Sequence, residues 1–182
     1  MKKLIFIIPL ALMSCYGICQ ELEQKSESRS KTEEFYSKEG SLFEKEFIPV
    51  GIVGPSFSIR VMKITDLITE ETQSGIRLQY LHKGKYSNST KSATIDSDEL
   101  DGFIKSIKIL KEKVFISMPS NYKEVTFISR SGFQAGCFWS SVKKEWKTYV
   151  KLEKYDSDSY VWLKISDFDE LLLYLEKAKT ML

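Results

Sequence analysis

Residue types that usually carry enzyme chemistry are scarce in this chain. His82 is its only histidine, so a histidine-rich zinc site is excluded and a single imidazole base is available. The sequence has no Gly-x-Ser-x-Gly nucleophile elbow, no Cys-x-x-Cys pair and no glycine motif for phosphates or dinucleotides. We therefore expect no catalytic residues, no cofactor and no metal. The alternative is a hydrolase-like enzyme that uses His82 as its base with a nearby Ser or Asp.

Acidic residues cluster where the pattern changes from strand to helix, at Asp96, Asp98 and Asp101. A calcium loop does not fit, because its fifth position would be Leu100 and Asp101 would stand where that loop needs a glycine. Asp96 followed by Glu99 matches a capping box, in which the two side chains bind free N–H groups at a helix start. The sequence therefore predicts a helix cap here and no metal.

Aromatic residues gather on one face of the strands predicted in the C-terminal half. Side chains alternate across a strand, so if Trp139, Val150 and Val161 point to a helix, their neighbours point away from it. A strand face that meets only water should be polar. The predicted ligand or partner face consists of Ile128, Phe138, Tyr149, Tyr160 and Trp162.

Basic residues accompany these rings at Lys147, Lys151 and Lys164. Exposed rings beside cations are typical of binding surfaces, since rings add contact area at low entropic cost. One interpretation is therefore an open site for a protein, a peptide or an apolar small molecule. The other is coverage by the first unit, by residues 47–53 or by a second copy in a homodimer.

Hydrophobic periodicity divides the mature chain into two similar units. Alternation over residues 57–62 and 76–81 predicts strands, Gly75 is expected in a turn, residues 93–95 predict a short closing strand, and a stripe over residues 100–110 predicts an amphipathic helix. The second half repeats this order. Its predicted strands lie around residues 125–128, 133–139, 146–152 and 161–165, and its helix around residues 171–182.

The predicted fold class is α+β, with two strand-rich units of about ββββα each, antiparallel sheets, and helices packed on one face. The units span residues 47–114 and 115–182. Asp167 with Glu170 repeats the helix-start pattern of the first unit. This similarity indicates either gene duplication or the same capping chemistry used twice. Either unit alone would be marginally stable, so we expect the two to share a core or one continuous sheet.

The first twenty residues have the layout of a bacterial export signal. Lys2 and Lys3 precede a run without charge over residues 4–13, which is too short for a membrane anchor. Residues 12–15 resemble the lipobox of bacterial lipoproteins, and that resemblance implies acylation of Cys15. The alternative is ordinary cleavage near Cys19 or Gln20. The predicted location is the periplasm or outer surface of a bacterial envelope, with contact to the membrane only through a lipid anchor.

Charge and composition limit the partners further. The whole chain has 27 basic and 25 acidic residues, and removal of Lys2 and Lys3 with the signal leaves 25 of each. A neutral chain with interleaved charges has no excess to drive counterion release, so no nucleic-acid partner is expected. Residues 21–46 are rich in Glu, Lys and Ser and predict a polar tether. Cys137, in an apolar strand, is expected to be a small buried hydrophobe.

These observations together predict an exported, non-catalytic binding or envelope-associated protein that uses an aromatic sheet face. The alternatives are the hydrolase with His82 and a structural subunit of a surface assembly, which would appear as a stable oligomer burying the same face. The identity of the ligand is not predicted by any motif in the sequence.

Overall fold

The computed structural model describes residues 29–85 and 87–182 as an α+β protein with two four-stranded antiparallel sheets. The first sheet contains β1 (Phe43–Val53), β2 (Phe57–Asp66), β3 (Thr72–Lys83) and β4 (Asn88–Asp96), and the second contains β5 (Glu124–Ile128), β6 (Gln134–Ser140), β7 (Glu145–Lys151) and β8 (Tyr160–Leu163). The helices are α1 (Lys31–Tyr36), α2 (Leu100–Ile109) and α3 (Asp167–Lys179), with a π-helical turn at Leu110–Val114 and a 3-10 turn at Ser157–Ser159. The proposed export signal, including Cys15, lies outside the described residues.

Each sheet is a meander in which consecutive strands are neighbours. The alternation read from the sequence corresponds to these strands, because Phe57, Ile59 and Val61 of β2 all point into the core. The two sheets are separate, but their inner faces belong to one hydrophobic cluster. The expectation of a shared core therefore holds, and the alternative of one continuous sheet does not. Within the described ranges, no helix combines the length and the apolar character needed to cross a membrane.

The helix that closes each unit reaches the sheet of the other unit. The ring of Phe103 in α2 stacks on Phe127 of β5 with centroids 4.9 Å apart, and meets Phe133 edge-on at 5.4 Å. Helix α3 packs on β1 and β2, where the ring of Tyr174 lies against Gly51 so closely that a Cβ there would be 2.5 Å from it. The last helix thus packs on the first sheet as well as closing its own unit. Neither unit buries its apolar face alone.

Strand β1 was not predicted from the sequence. Gly51 and Pro49 are atypical of a strand, and the pairing with β2 shifts register between them. A proline lacks an N–H group and is tolerated on an edge strand or at a bulge, and β1 is both an edge strand and bulged. Gly75 was expected in a turn but lies inside β3, opposite Met62 and Asp96.

Residues 29–46 are folded, whereas the sequence analysis assigned them to a polar tether. They contain α1 and the start of β1, and α1 contacts β2, β3 and β4. Met62 and Ile64, on the other side of β2 from the core, are buried outside the main hydrophobic cluster. Phe35 of α1 meets Phe43 of β1 edge-on at 5.7 Å. Helix α1 therefore covers the part of the outer face of the first sheet around Met62 and Ile64, whereas Phe47 on the same face stays exposed.

A buried carboxylate holds α1 in this position. Asp96, at the end of β4, accepts hydrogen bonds from the backbone N–H groups of Lys31 (2.8 Å) and Thr32 (3.0 Å) and from the Thr32 hydroxyl (2.7 Å), and it forms an ion pair with Arg130. The first N–H groups of a helix lack partners within the helix, so this carboxylate caps α1. Arg130 lies in the turn between β5 and β6, so the same group also joins the two units.

The capping boxes predicted for α2 and α3 are only partly formed. Glu99 accepts a hydrogen bond from the Asp96 N–H group at 3.3 Å, but the Asp96 side chain caps α1 and not α2. At α3 the Asp167 carboxylate accepts from the N–H of Lys164 at 2.8 Å, and the N-cap residue Ser166 contributes no side-chain hydrogen bond. The two helix starts therefore share a sequence pattern but not a structure.

We expect Asp96→Ala to lower the free energy of unfolding by about 3 to 5 kcal/mol, because it removes a fully buried carboxylate from its ion pair with Arg130 and leaves the backbone N–H groups of Lys31 and Thr32 and the Thr32 hydroxyl without their acceptor. Asp98→Ala is the matched control: its half-exposed carboxylate pairs with Lys31 and Arg130, so its loss should cost about 1 kcal/mol or less. Urea denaturation measures both. Equal losses would contradict the assignment of Asp96 as the cap of α1.

Asp98 should also leave a signature in the pH dependence of stability. Hydrogen bonds from Arg130 and then Lys31 lower the pKa of this carboxyl to about 2. Because its folded pKa lies below the unfolded value of about 3.9, its contribution is complete above that value and is lost as pH falls toward 2. The stability difference between wild type and Asp98→Asn should shrink from pH 5 to pH 2.5 in urea titrations. A constant difference would contradict this ion pair.

Candidate functional site

The outer face of the second sheet carries a contiguous group of five rings, here called the aromatic cluster. It consists of Tyr122, Phe138, Tyr149, Tyr160 and Trp162. Four of these belong to the face predicted from the sequence, and the structure brings them together. Ile128, the fifth predicted residue, lies on the edge strand β5 with 62% of its surface exposed, and it has no ring to contribute to the cluster. The inner face of the same sheet belongs to the core.

Ring contacts run across the sheet from one edge toward the other. Tyr160 and Trp162 stack with an interplanar angle of 12° and centroids 5.8 Å apart, and Tyr149 meets Trp162 at 6.1 Å. Phe138 meets Trp162 edge-on at 6.2 Å, and Tyr122 lies 6.2 Å from Phe138. Offset-stacked and edge-on pairs are the favoured arrangements of aromatic rings. The cluster therefore forms a continuous apolar surface held together by its own contacts.

Tyr149 forms the base of the aromatic cluster. Its partners across β6 are Gly136 and, on the next strand, Thr126, whose hydroxyl lies 3.1 Å from the Tyr149 hydroxyl. The ring therefore crosses the sheet where glycine has no side chain to block it. Burial raises the pKa of Tyr149 above its ordinary value, so the phenol remains protonated and retains this hydrogen bond. Only 9% of the Tyr149 surface is exposed.

Trp162 and Tyr122 are the parts of the cluster most available to a ligand. Trp162 is 57% exposed and Tyr122 61%, whereas the other two tryptophans, Trp139 and Trp146, are buried. Residues 47–53, considered above as a cover, lie in β1 next to α3. No element of the described ranges packs on the outer face of the second sheet in the way that α1 packs on part of the first. Within residues 29–85 and 87–182, this face is therefore open.

A groove of about 680 Å³ lies beside the aromatic cluster, where β8 ends. Its walls come from Phe138, from residues 145–148 at the start of β7, and from residues 162–166 between β8 and α3. The rings of Phe138 and Trp162 are common to the groove and the cluster. Large concave sites with apolar walls and a few polar groups are typical of ligand binding.

The three lysines noted in the sequence have different surroundings. Lys147 forms an ion pair with Glu145 at 2.8 Å. The Lys151 ammonium lies 4.9 Å from the centre of the Tyr160 ring, a distance suited to a cation–π contact, and donates to the carbonyl of Lys154. Lys164, on the groove wall, is exposed and makes no ion pair with any described residue. A positive charge is thus available at the groove.

Other groups singled out from the sequence lie away from the aromatic cluster. His82, near the end of β3, contacts the ring of Tyr80, with centroids 6.4 Å apart, and forms no hydrogen bond to a carboxylate of the described residues. Cys137 is buried, and burial raises the pKa of its thiol to about 12, which keeps it protonated. In the part of the chain that the structure describes, no three His, Cys, Asp or Glu side chains are placed to hold a metal ion.

Sequence reasoning missed Tyr122 because it precedes β5, in a segment without regular periodicity. Its hydroxyl donates to Glu124, and its ring extends the cluster beyond Phe138. A signal was available, since Tyr122 has the same parity as Thr126 and Ile128 and would share their face if the strand began earlier.

Glycine at position 136 is required for the arrangement around Tyr149. A Cβ there would overlap the carbonyl oxygen of Val125 and lie 2.9 Å from the Thr126 Cα atom. We expect Gly136→Ala to cost about 1 to 3 kcal/mol of stability, as overpacking does. Gly102 lies in α2, where an added Cβ would meet no atom within 4 Å, so Gly102→Ala should stabilise the protein by about 0.5 to 1 kcal/mol. Chemical denaturation measures both, and effects of the same sign would contradict this account.

No family model, curated protein or solved structure matches this chain. The function proposed below therefore depends on the geometry of the outer face, the groove beside it and the charges around them.

Proposed function

We propose that this chain is an exported, envelope-associated binding protein that recognises its partner through the aromatic cluster and the adjoining groove. The observation that carries the proposal is the difference between the two sheets. Helix α1 packs on part of the outer face of the first sheet, whereas the outer face of the second carries contiguous rings that no described element covers. An exposed group of large apolar side chains is costly in water and usually marks an interaction site.

The chemistry of this face favours binding over a purely structural role in the fold. Tyr149 and Phe138 form its less exposed base, and Trp162 rises from them into solvent. Trp and Tyr are the residues most enriched at the centres of interfaces, because they bury large areas with few rotatable bonds. Export through residues 1–20, with or without acylation of Cys15, belongs to the same proposal.

The central test compares two exposed apolar residues of similar exposure. Trp162→Ala should abolish capture of the partner from an envelope extract, whereas Leu173→Ala, a residue of α3 that is 61% exposed, should leave capture unchanged. Neither variant should lose the fold, since neither side chain is in the core. Tyr149 is less suitable for this test, because its removal also breaks the contact with Thr126.

Tryptophan fluorescence locates the captured partner on the face. Trp162 is the exposed member of the three tryptophans, so iodide should quench mainly its emission. The purified partner should protect this emission from iodide when it is returned to the pure protein. Equal capture by Trp162→Ala, or unchanged quenching, would contradict the proposal. Sedimentation velocity of the pure protein distinguishes a partner from a second copy of this chain.

A further inference from the structure

Strand β7 extends beyond its neighbour β8 on one side. The pairing of the two strands runs from Thr148 with Leu163 to Lys151 with Tyr160. After Leu163 the chain turns toward α3, where the N–H of Asp167 donates to the carbonyl of Lys164 at 3.0 Å. Residues 145–147 of β7 therefore pair with β6 but have no strand on the side of the groove.

Backbone hydrogen bonds at the strand ends show which groups face this gap. The N–H of Leu152 donates to the carbonyl of Ser159 at 3.2 Å, on the β8 side of β7. Because backbone groups alternate along a strand, those of Val150, Thr148 and Trp146 face the same side. On β6, the backbone N–H of Trp139 donates to the carbonyl of Lys123, on the side away from β7. Trp139 therefore directs its backbone N–H and C=O groups away from Trp146, its neighbour in register.

The N–H and C=O groups of Trp146 consequently point into the groove. The residue that would pair with Trp146 by register is Ile165, but Ile165 lies beyond the end of β8, and no hydrogen bond joins their backbones. Neither backbone group of Trp146 has a protein partner among the described residues. A ligand that excludes water from these groups without replacing their hydrogen bonds would bind about tenfold or more weakly for each group left unpaired.

We propose that the groove binds an extended peptide that continues the sheet alongside β7 beyond the end of β8. The peptide would exchange a pair of backbone hydrogen bonds with Trp146, and about three of its residues would fill the gap of about 10 Å. This inference rests on the function proposed above and specifies its ligand. Backbone pairing distinguishes a peptide from an apolar small molecule or a sugar, neither of which presents N–H and C=O groups at strand spacing.

The surroundings of the gap specify the side chains of the peptide. The peptide residue that pairs with Trp146 would direct its side chain to the inner face of the sheet, as Trp146 does. The two peptide residues next to it would then project from the outer face, beside Lys147 and the Trp162 ring. Lys164 has no ion-pair partner among the described residues, and Lys147 has only Glu145. The favoured sequence therefore has an apolar residue flanked by acidic or aromatic residues.

The probe for this inference is a phage-displayed library of linear decapeptides, selected on the full-length processed protein. We expect enrichment of the apolar pattern with acidic or aromatic flanks. The best peptide is then synthesised with a single N-methyl group at each position in turn. Methylation at the nitrogen that faces Trp146 should raise the Kd about tenfold or more, whereas methylation at its two neighbours should change it little.

Charge is tested with a matched pair of variants. Lys164→Gln should weaken binding of an acidic peptide several-fold and reduce its salt dependence, whereas Lys105→Gln, an exposed lysine of α2, should have no effect. In ¹H–¹⁵N spectra the Trp146 amide should shift and become protected from exchange when the peptide binds. An unshifted, unprotected amide would overturn the inference.

The outcomes separate this inference from the proposed function. No enriched peptide, or an N-methyl scan without the alternating pattern, overturns strand addition, and loss of partner capture by Trp162→Ala would still support the aromatic face. Peptide binding with the alternating scan but unchanged capture by Trp162→Ala overturns the role of the aromatic cluster and supports strand addition at β7.

Discussion

The structure depends on one constraint: each of two sheets has an apolar inner face that its own unit cannot cover. The solution is a single core in which α2 reaches the second sheet through Phe103 and α3 lies on the first sheet through Tyr174. A unit with one sheet and one helix would bury too little apolar surface to offset the entropy of ordering its chain. Because the closing helix of each unit also packs on the sheet of the other, the folding of each unit depends on the other.

Once the inner faces meet, two outer faces remain, and the chain treats them differently. Helix α1 lies across the outer face of the first sheet and is held there by the buried carboxylate of Asp96. The same carboxylate pairs with Arg130 in the second unit, so the charge that holds α1 also contributes to the joint between the units. The second sheet receives no such cover within the described residues, and its outer face carries rings instead.

The groove beside the cluster follows from the length of a single strand. Because β8 ends at Leu163 while β7 continues past it, the sheet has a step at its edge. The step leaves the backbone groups of Trp146 without a strand partner on the groove side, beside the exposed ring of Trp162, so polar pairing and apolar contact are available within one groove. Proteins usually protect such edges, and this one lies next to the largest exposed ring of the cluster.

Much of the second unit was predictable from the sequence because its strands alternate cleanly. Parity alone placed Phe138, Tyr149 and Trp162 on one face, since the side-chain period of a strand does not depend on tertiary context. Strand β1 was not predictable in this way, because Pro49 and Gly51 contradict strand propensity and are accommodated only by an edge position and a bulge. The capping role of Asp96 was also misassigned, because its partner in α1 is 64 residues away in the chain.

By itself, the sequence determined the α+β class, most of the strands and the parity of their side chains, because these depend on local periodicity. Only the tertiary structure decided that α1 packs on the outer face of the first sheet, that α2 and α3 each reach the sheet of the other unit, and that β7 extends past β8. Those features depend on contacts between distant segments, and a local pattern of apolar residues states only that a face must be buried, not which segment buries it.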